Sequence, residues 1–585
     1  MLSPKSMRVL FIHPPSTRNL NYISHAGIVL PSGIAALSAW LRREFGPANI
    51  EIGVIEGHAR NLGVEEIVRE ATRKDWDAYL LSYWTAFAMQ AYAVSDRLKR
   101  LRPNTPIVHG GVHASLVPED ALPHADYVVL GEGEITLAEL LRALGGEGDP
   151  RRVRGIAYRE NGSVRLTETR PLLENLDDTP FPAYDLLDLE PYFRQVGENI
   201  MHVVGGPRFP LYPSRGCPFD CAYCCSPAMW RRKVRWRSPA GVIAEMRRCI
   251  EEYGISSFHF WDDNSMLGGT WMEHFCRELL DSGLKTNWVA LTRAETIIKH
   301  REILPLMRRA GCLGLEIGIE STSEKALEAM DKGQTLVEIE EALRLQRQAG
   351  LHALYTLMAF SPGEDLTSFW VQNRTMDRYF NGSRFPALYL GQFATTYPGT
   401  RFFREAPREG MVLARDWNDH HHDTVNFAPF SLLRDVPVRT RRILPWSGAA
   451  ICLAAMFRIR YEVFDLEQPP SRLRRNLAGH WKRLRWFYRR CDGTKTIADL
   501  GEEMQRIFPI EDRFEGIRFC CVAALLLACL GLIKSANNPH SIRAIHRGVF
   551  LYYLANLFNP HYLKTLGRLG RRAFSPRTET GETRC

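Results

Sequence analysis

The first 216 residues contain no cysteine, although the 585-residue chain holds 13 of them. That absence removes a disulfide framework from more than a third of the sequence, and the small stapled folds with it. No apolar run reaches the roughly 20 residues that a membrane helix needs. The longest, Phe519–Ile533, has 15 residues and is expected to be a buried helix. There is no internal repeat and no long low-complexity tract. Neither sign of charge dominates, because 75 basic and 66 acidic residues leave +9, which is mild at this length and implies no nucleic-acid partner. With 45% hydrophobic and 24% charged residues, a disordered chain is excluded. Met1–Ser6 runs into a strand-like stretch without the pattern of a secretory signal, so a cytoplasmic protein is expected.

What is present reads first as alternating strands and helices. Five short apolar runs lie between residues 8 and 130: Arg8–Ile12, Ile50–Ile55, Ala78–Tyr83, Ile107–Val108 and Tyr127–Leu130. Pro31–Phe45 and Val64–Lys74 carry helical spacing between them. Strand, helix, strand in sequence predicts an α/β fold with a parallel sheet, whose ligand crevice lies at the carboxyl ends of the strands. The loops there are Glu56–Leu62, Ser82–Thr85, Gly110–Ala114 and Gly131–Glu134. Residues 141–205 read as a connector, with hairpin character over Arg151–Leu166.

Residues 206–405 form a second alternating region, with candidate strands Phe209–Pro213, Ser257–Trp261, Asn287–Leu291, Gly314–Ile319, Ala353–Phe360 and Ala387–Phe393. Six strand–helix units suit a partial barrel, with the site again at the strand carboxyl ends. Residues 406–585 are helix-rich. Arg472, Arg474, Arg475, Lys482, Arg483, Arg485, Arg489 and Arg490 fall in twenty residues without one acid, a pattern that usually marks a solvated face. His420-His421-His422 is expected to be a polar loop, since adjacent histidines do not easily converge on one ion.

The strongest signal is Ser214-Arg-Gly-Cys217-Pro-Phe-Asp-Cys221-Ala-Tyr-Cys224-Cys225. A short irregular loop can wrap three thiolates around one iron–sulfur cluster and leave one iron open, whereas structural zinc wants four closed ligands. Cys225 could offer a fourth sulfur, but neighbouring cysteines point in different directions.

The C-x-x-x-C-x-x-C spacing, with Tyr223 before the third cysteine, resembles the radical S-adenosylmethionine (SAM) superfamily. Trp261-Asp262-Asp263-Asn264-Ser265, Gly318-Ile319-Glu320-Ser321, Gly333-Gln334-Thr335, Pro362-Gly-Glu-Asp365 and Tyr397-Pro-Gly-Thr400 match its later landmarks. The resemblance implies that Cys217, Cys221 and Cys224 hold a [4Fe–4S] cluster. Asp262, Glu316, Glu320 and Ser321 would hold SAM, with strand-end capping or an internal ion pair as the alternative for the three acids. Val108-His-Gly110-Gly111-Val-His113-Ala114 and Val129-Leu-Gly131-Glu132-Gly133-Glu134 resemble the cobalamin-binding domain fused to many such enzymes. This implies that Ser82, Gly110, Gly111, Gly131 and Glu132 lie against cobalamin, whose nucleotide tail would thread beside the glycines. Glu56-Gly-His58-Ala-Arg-Asn-Leu62 stands where the classical motif D-x-H-x-x-G carries a cobalt-ligating histidine. It fits equally well the loop of the branch that lacks that ligand, so His58 is expected near the corrin without a cobalt bond. Together the resemblances cover about two-thirds of the chain, residues 7–405. They imply a Rossmann-like cobalamin-binding domain over 7–140, a partial (β/α)6 barrel over 206–405 and a mainly helical substrate or lid region over 406–585. Within the last, Cys491-Asp-Gly-Thr-Lys-Thr-Ile497 in 486–534 is similar to small winged-helix peptide chaperones.

The activity implied is methylation of an unreactive carbon. One electron cleaves SAM, the resulting radical abstracts hydrogen, and cobalamin delivers the methyl group. Radical cyclisation or rearrangement would use the same motifs. RNA methylthiotransferases usually carry further cysteines before the barrel, and residues 1–216 have none. A non-catalytic cobalamin sensor would have no use for the cluster loop. The expected partners are a small or medium natural-product substrate, with a ribosomal peptide as the alternative, and an electron donor such as flavodoxin or ferredoxin.

Overall fold

The computed structural model describes residues 6–15, 30–194, 209–359, 361, 392–405, 417, 437–440, 470–508, 520, 523 and 533–535. His420–His422, Pro362–Asp365, the amino-terminal part of the Ala387–Phe393 run and most of Phe519–Ile533 lie outside them; Cys520 and Ala523 are helical and buried. The chain divides into two compact units, residues 1–363 with 380–427, and residues 364–379 with 428–585.

The first unit begins with a seven-stranded sheet, β1 Met7–His13, β2 Ile50–Glu56, β3 Ala78–Ser82, β4 Ile107–Gly110, β5 Tyr127–Val129, β6 Ile156–Glu160 and β7 Ser163–Leu166, in the order β2-β1-β3-β4-β5-β6-β7. β1 to β5 run parallel. Val9 to Ile12 of β1 are buried, as a central strand covered on both faces requires. Helices Ser32–Phe45 and Gly133–Leu144 cover one face, and Ile34, Leu41, Leu137 and Leu141 join Phe11, Leu80 and Val108 in one core. The strand order reverses between β1 and β3, which opens a crevice at their carboxyl ends. The hairpin expected within the connector is β6–β7, turning at Asn161-Gly162. It is part of this sheet, because Tyr127–Val129 pairs antiparallel with Ile156–Tyr158.

The second sheet holds six parallel strands in the order β8-β11-β12-β13-β14-β15: β8 Phe209–Leu211, β11 Ser257–Phe260, β12 Asn287–Thr292, β13 Cys312–Glu320, β14 His352–Ala359 and β15 Gln392–Phe393. It is the expected partial barrel. Helix Pro239–Tyr253 starts at Ser238, whose hydroxyl accepts from the Gly241 N–H, and Leu336–Gln348 starts at a capping box of Thr335 and Glu338. A two-stranded ribbon, β9 Ser214–Arg215 with β10 Arg235–Trp236, brackets the cysteine loop.

In the second unit, β16 Pro437–Thr440 pairs antiparallel with β17 Asp492–Thr496 and with β18 Ile533–Ser535. Helices Pro470–Arg490 and Ile497–Ile507 flank β17, and Leu484, Phe487, Cys491, Ile497, Leu500 and Met504 are buried. The region expected to be helical therefore also carries a small sheet. Lys482, Arg485, Arg489 and Arg490 are exposed, as a solvated face would be. Among the described residues no helix is long and apolar enough to cross a membrane.

Candidate functional site

The cysteine loop is anchored at its ends. Gly216 has φ +99°, and a Cβ there would lie 2.0 Å from the Lys233 carbonyl, so only glycine fits. Its N–H donates to Asp263 Oδ2 at 2.9 Å. The Ala222 N–H donates to the Met330 carbonyl, and the Ala222 carbonyl accepts from Phe402. Cys221 is buried, while Cys217, Cys224 and Cys225 are partly so. Burial, with Asp263 and Cys221 nearby, pushes the Cys217 thiol up to about 11, and burial raises Cys224 well above the usual thiol range. Thiolates here need cations to replace their protons, which cluster irons provide. Three thiolates on one short loop suit a cluster, which takes each on a different iron and leaves one iron open, whereas structural zinc wants four closed ligands. The loop fits the cluster.

Next to the loop stands the end of β13. Tyr223 Oη donates to Glu320 Oε1 at 3.0 Å, and Lys332 Nζ donates to both, at 2.8 Å and 3.1 Å. Thr356 Oγ1 donates to Glu320 Oε2 at 3.2 Å. Glu320 has φ +61°, a conformation costly for a non-glycine residue and common at functional sites. A Cβ on Gly318 would meet Glu320 Oε1 at 2.7 Å and Lys332 Nζ at 2.8 Å, so that glycine makes room for the pair. Ser321 is fully buried, and its Oγ accepts from the Ser323 N–H. Glu316, two turns of the pleat earlier on the same strand, lies 3.5 Å from His259 Nε2. Burial, and the Glu320 charge, push Glu316 up to about 7. These groups could hold the amino, carboxylate and ribose groups of SAM.

Asp262 follows the end of β11. It lines a cavity of about 590 Å³ together with Ser82, Gly110, Gly111, Gly131 and Glu132. Ser214 and Ser265 hydroxyls donate to its two oxygens, yet burial still pushes it up to about 7. Leu37, Leu80, Val108 and Leu137 also line the cavity, as do Tyr212, Trp230 and Trp261. It therefore opens from the carboxyl ends of β3, β4 and β5 to the end of β11. Gly111 has φ +87°, and a Cβ there would lie 2.7 Å from the Tyr83 carbonyl oxygen. Gly131, at φ +70°, has nothing within 4 Å of the place a Cβ would take. This cradle fits an elongated, partly apolar group such as the nucleotide tail of cobalamin.

Glu132 reaches this cavity, but its carboxylate is engaged. It accepts from Arg215 Nη1 at 2.7 Å, from Arg235 Nη1 at 2.9 Å and from the Leu173 N–H at 2.8 Å. Glu134 takes the other Arg215 nitrogen at 2.6 Å. His58 does not line the cavity. It is buried edge-on to His13, with ring centroids 6.0 Å apart, and against Phe87 at 5.2 Å. Burial, and then the neighbouring His58, push His13 down to about 3. The acid two residues before His58, Glu56, accepts from Tyr192 Oη at 2.5 Å and from the Asp188 N–H.

Sequence reasoning missed Lys332, Arg215, Arg235 and Arg293. Arg293 Nη1 lies 3.2 Å from Cys221 Sγ. Its position directly after β12 was the available signal, because barrel chemistry gathers at strand carboxyl ends.

Residues 211–370 match the family model of the radical SAM superfamily, and residues 20–141 match that of the B12 binding domain. The chain is 30% identical over 422 residues to "Uncharacterized methyltransferase PH0819" of Pyrococcus horikoshii, covering 71% of this chain and 86% of that one. It is 32% identical over 319 residues to the anaerobic magnesium-protoporphyrin IX monomethyl ester cyclase of Synechocystis, covering 54% and 61%. Among solved structures, the radical SAM methyltransferase TsrM from Kitasatospora setae, with cobalamin and a [4Fe–4S] cluster bound, shares the fold with a TM-score of 0.54 at 17% identity, over 70% of this chain and 76% of that one. The chain belongs to the cobalamin-dependent radical SAM enzymes, whose cofactors are a [4Fe–4S] cluster, SAM and cobalamin.

Proposed function

We propose that this protein methylates an unactivated carbon of a small or medium natural-product precursor. The observation that carries this reading is the shared cavity, lined at one end by the glycine loops after β4 and β5 and at the other by Trp261 and Asp262 after β11. A methyl donor held by the first sheet and a radical source held by the barrel would then face one acceptor. Bound together, the cofactors supply removal of a hydrogen atom and a methyl group to take its place. The chain's own side chains do the rest. Cys217, Cys221 and Cys224 hold the cluster. Glu320, with Lys332 and Tyr223 fixing its carboxylate, and Glu316 and Ser321 hold SAM. Ser82, Gly110, Gly111 and Gly131 admit the cobalamin tail, and Glu132 positions its loop through Arg215 and Arg235. Asp262 caps the barrel end of the cavity. Trp230 and Trp261 keep water from the reacting groups. His58 gives cobalt no nitrogen.

On this reading residues 7–140 bind cobalamin, 206–405 form the radical SAM domain, and 406–585 select the substrate. A flavodoxin- or ferredoxin-class protein supplies electrons in the cytoplasm. The reading is tested by incubating the anaerobically reconstituted enzyme and a reductant with SAM labelled in its methyl group and small-molecule extracts of the source cells. A labelled product, absent with the Cys217→Ala variant, is expected. An unlabelled product two hydrogens lighter would favour cyclisation, the activity named for the Synechocystis relative.

A peptide acceptor is the second reading. The antiparallel sheet of β16, β17 and β18, with β17 formed by Asp492–Thr496 and a helix starting at Ile497, supports a module able to add a peptide strand. Titration with precursor peptides encoded beside the gene separates the two. Absence of affinity at low salt removes the peptide.

A further inference from the structure

Several cations face the cluster loop, Arg232 at the Pro218 carbonyl, Arg401 at the Asp220 carbonyl and Lys332 at Tyr223, and among the described residues Arg293 is the one that reaches a cysteine sulfur. Arg293 is 6% exposed, and every branch of its guanidinium is used. Nη1 donates to Cys221 Sγ at 3.2 Å, Nη2 donates to the Lys332 carbonyl, and Nε pairs with Glu295. The guanidinium carbon also lies 3.8 Å from the centre of the Phe219 ring, inside the cysteine loop. Lysine could make only part of this set, because it lacks the planar fork.

From this geometry we infer that Arg293 is a positioning residue that sets the reduction potential of the cluster through Cys221. The inference rests on the assignment of the cluster to Cys217, Cys221 and Cys224. Three thiolates and a doubly charged oxidised cluster sum to one negative charge. Taking one electron from the external donor makes it two, with no bond formed or broken. A buried site resists that extra charge unless a cation and N–H donors face the sulfurs, and both are levers on cluster potential. Arg293 supplies both at one sulfur. Glu295 sits behind it and offsets part of its charge, so the two residues act with opposite sign. The strand β12 delivers Arg293 to this place, and the Lys332 carbonyl ties it to the chain segment that carries the Glu320 partner.

The test is a redox titration of the reconstituted full-length protein, followed by the electron-resonance signal of the reduced cluster and accompanied by iron analysis. At the wild-type midpoint, Arg293→Gln should lower the ratio of reduced to oxidised cluster at least tenfold, a shift of about 59 mV for one electron. Arg293→Lys should shift it less, and Glu295→Gln should raise the ratio. An unchanged midpoint in Arg293→Gln with full iron content would overturn the inference, as would a shift of the same sign in Arg293→Gln and Glu295→Gln. Should Arg293→Gln lose iron, Glu295→Gln decides alone, since Glu295 does not touch the cysteines, and no rise there overturns the proposal. Full iron in a protein lacking Cys217, Cys221 and Cys224 would instead refute the underlying cluster assignment.

Discussion

Replacing Glu132 by Gln should loosen the loop that lines the cavity, and the structure sets the size of the effect. The Glu132 side chain is 6% exposed and that of Arg235 is 10% exposed. With Arg215 and Glu134 they make a balanced group of two cations and two anions. The amide would leave two buried guanidinium groups facing one carboxylate. Removing one member of a buried pair costs about 3–5 kcal/mol, most of it the burial of the uncompensated partner. Arg235→Met should cost a similar amount alone. In the double variant the orphaned charge at Arg235 is gone, so the losses should fall short of their sum by about 2 kcal/mol or more. The assay is hydrogen exchange by mass spectrometry over residues 130–135 and 214–217, which reads local opening. A loss of about 3 kcal/mol appears as roughly a hundredfold faster exchange. Acidity gives a second handle. Burial alone would raise Glu132, but Arg215 and Arg235 hold its carboxyl below the usual carboxylate range. Its contribution is therefore present above the ordinary carboxylate pKa and is lost as pH falls through the lowered native value, so the two proteins should converge in acid. Additivity within about 0.5 kcal/mol, or an unchanged exchange rate in Glu132→Gln, would refute the reasoning.

What could be read in the sequence follows from how local each constraint is. β1 and β13 were legible because a strand buried on both faces must be a continuous apolar run, and Val9–Ile12 and Leu315–Ile319 are such runs apart from Glu316 and Gly318. The cysteine loop was legible because three ligands on one short loop fix their own spacing. Gly111 was legible as a glycine lining a ligand, although not the Tyr83 backbone that excludes a Cβ there, and Gly216 was not singled out. The remainder depended on contacts far apart in the chain. That β6–β7 joins the first sheet depends on which edge strand offers free N–H and C=O groups. Asp262 and Glu320 end different strands, and nothing local says that one faces the cavity of the first sheet while the other meets Lys332. Glu132 looked like a ligand-loop acid, and only the positions of Arg215 and Arg235, 83 and 103 residues away, show that its carboxylate is taken. Arg293 reaches a cysteine 72 residues earlier, which no spacing rule anticipates.

Three further outcomes test the site. Changing Cys217, Cys221 and Cys224 together to Ala should abolish the [4Fe–4S] spectrum and iron content, while Cys225→Ala should keep both, and iron loss in the Cys225 variant would reverse the ligand choice. Gly110→Leu should lower cobalamin affinity by tenfold or more in an equilibrium titration, because its Cβ starts in ordinary contact, 3.8 Å from the Val129 carbonyl oxygen, and the rest must occupy the cavity. Undiminished binding would move the cobalamin site; Gly111 is a poorer probe, because its Cβ already collides with the Tyr83 backbone. The last outcome is a pH dependence at Asp262, raised by burial from 3.8 to about 7. Between those values the native carboxyl keeps a proton that the unfolded chain has released, so the native state binds more protons and stability falls as pH rises. About three pKa units correspond to a penalty on the order of 4 kcal/mol, complete above pH 7 and absent below pH 4. Asp262→Asn cannot ionise, so exchange protection over residues 257–265 should lose this slope and exceed wild type above neutrality. Parallel wild-type and variant curves from pH 4 to 8 would mean that Asp262 is ionised in the folded protein throughout, held by the Ser214 and Ser265 hydroxyls more strongly than burial opposes.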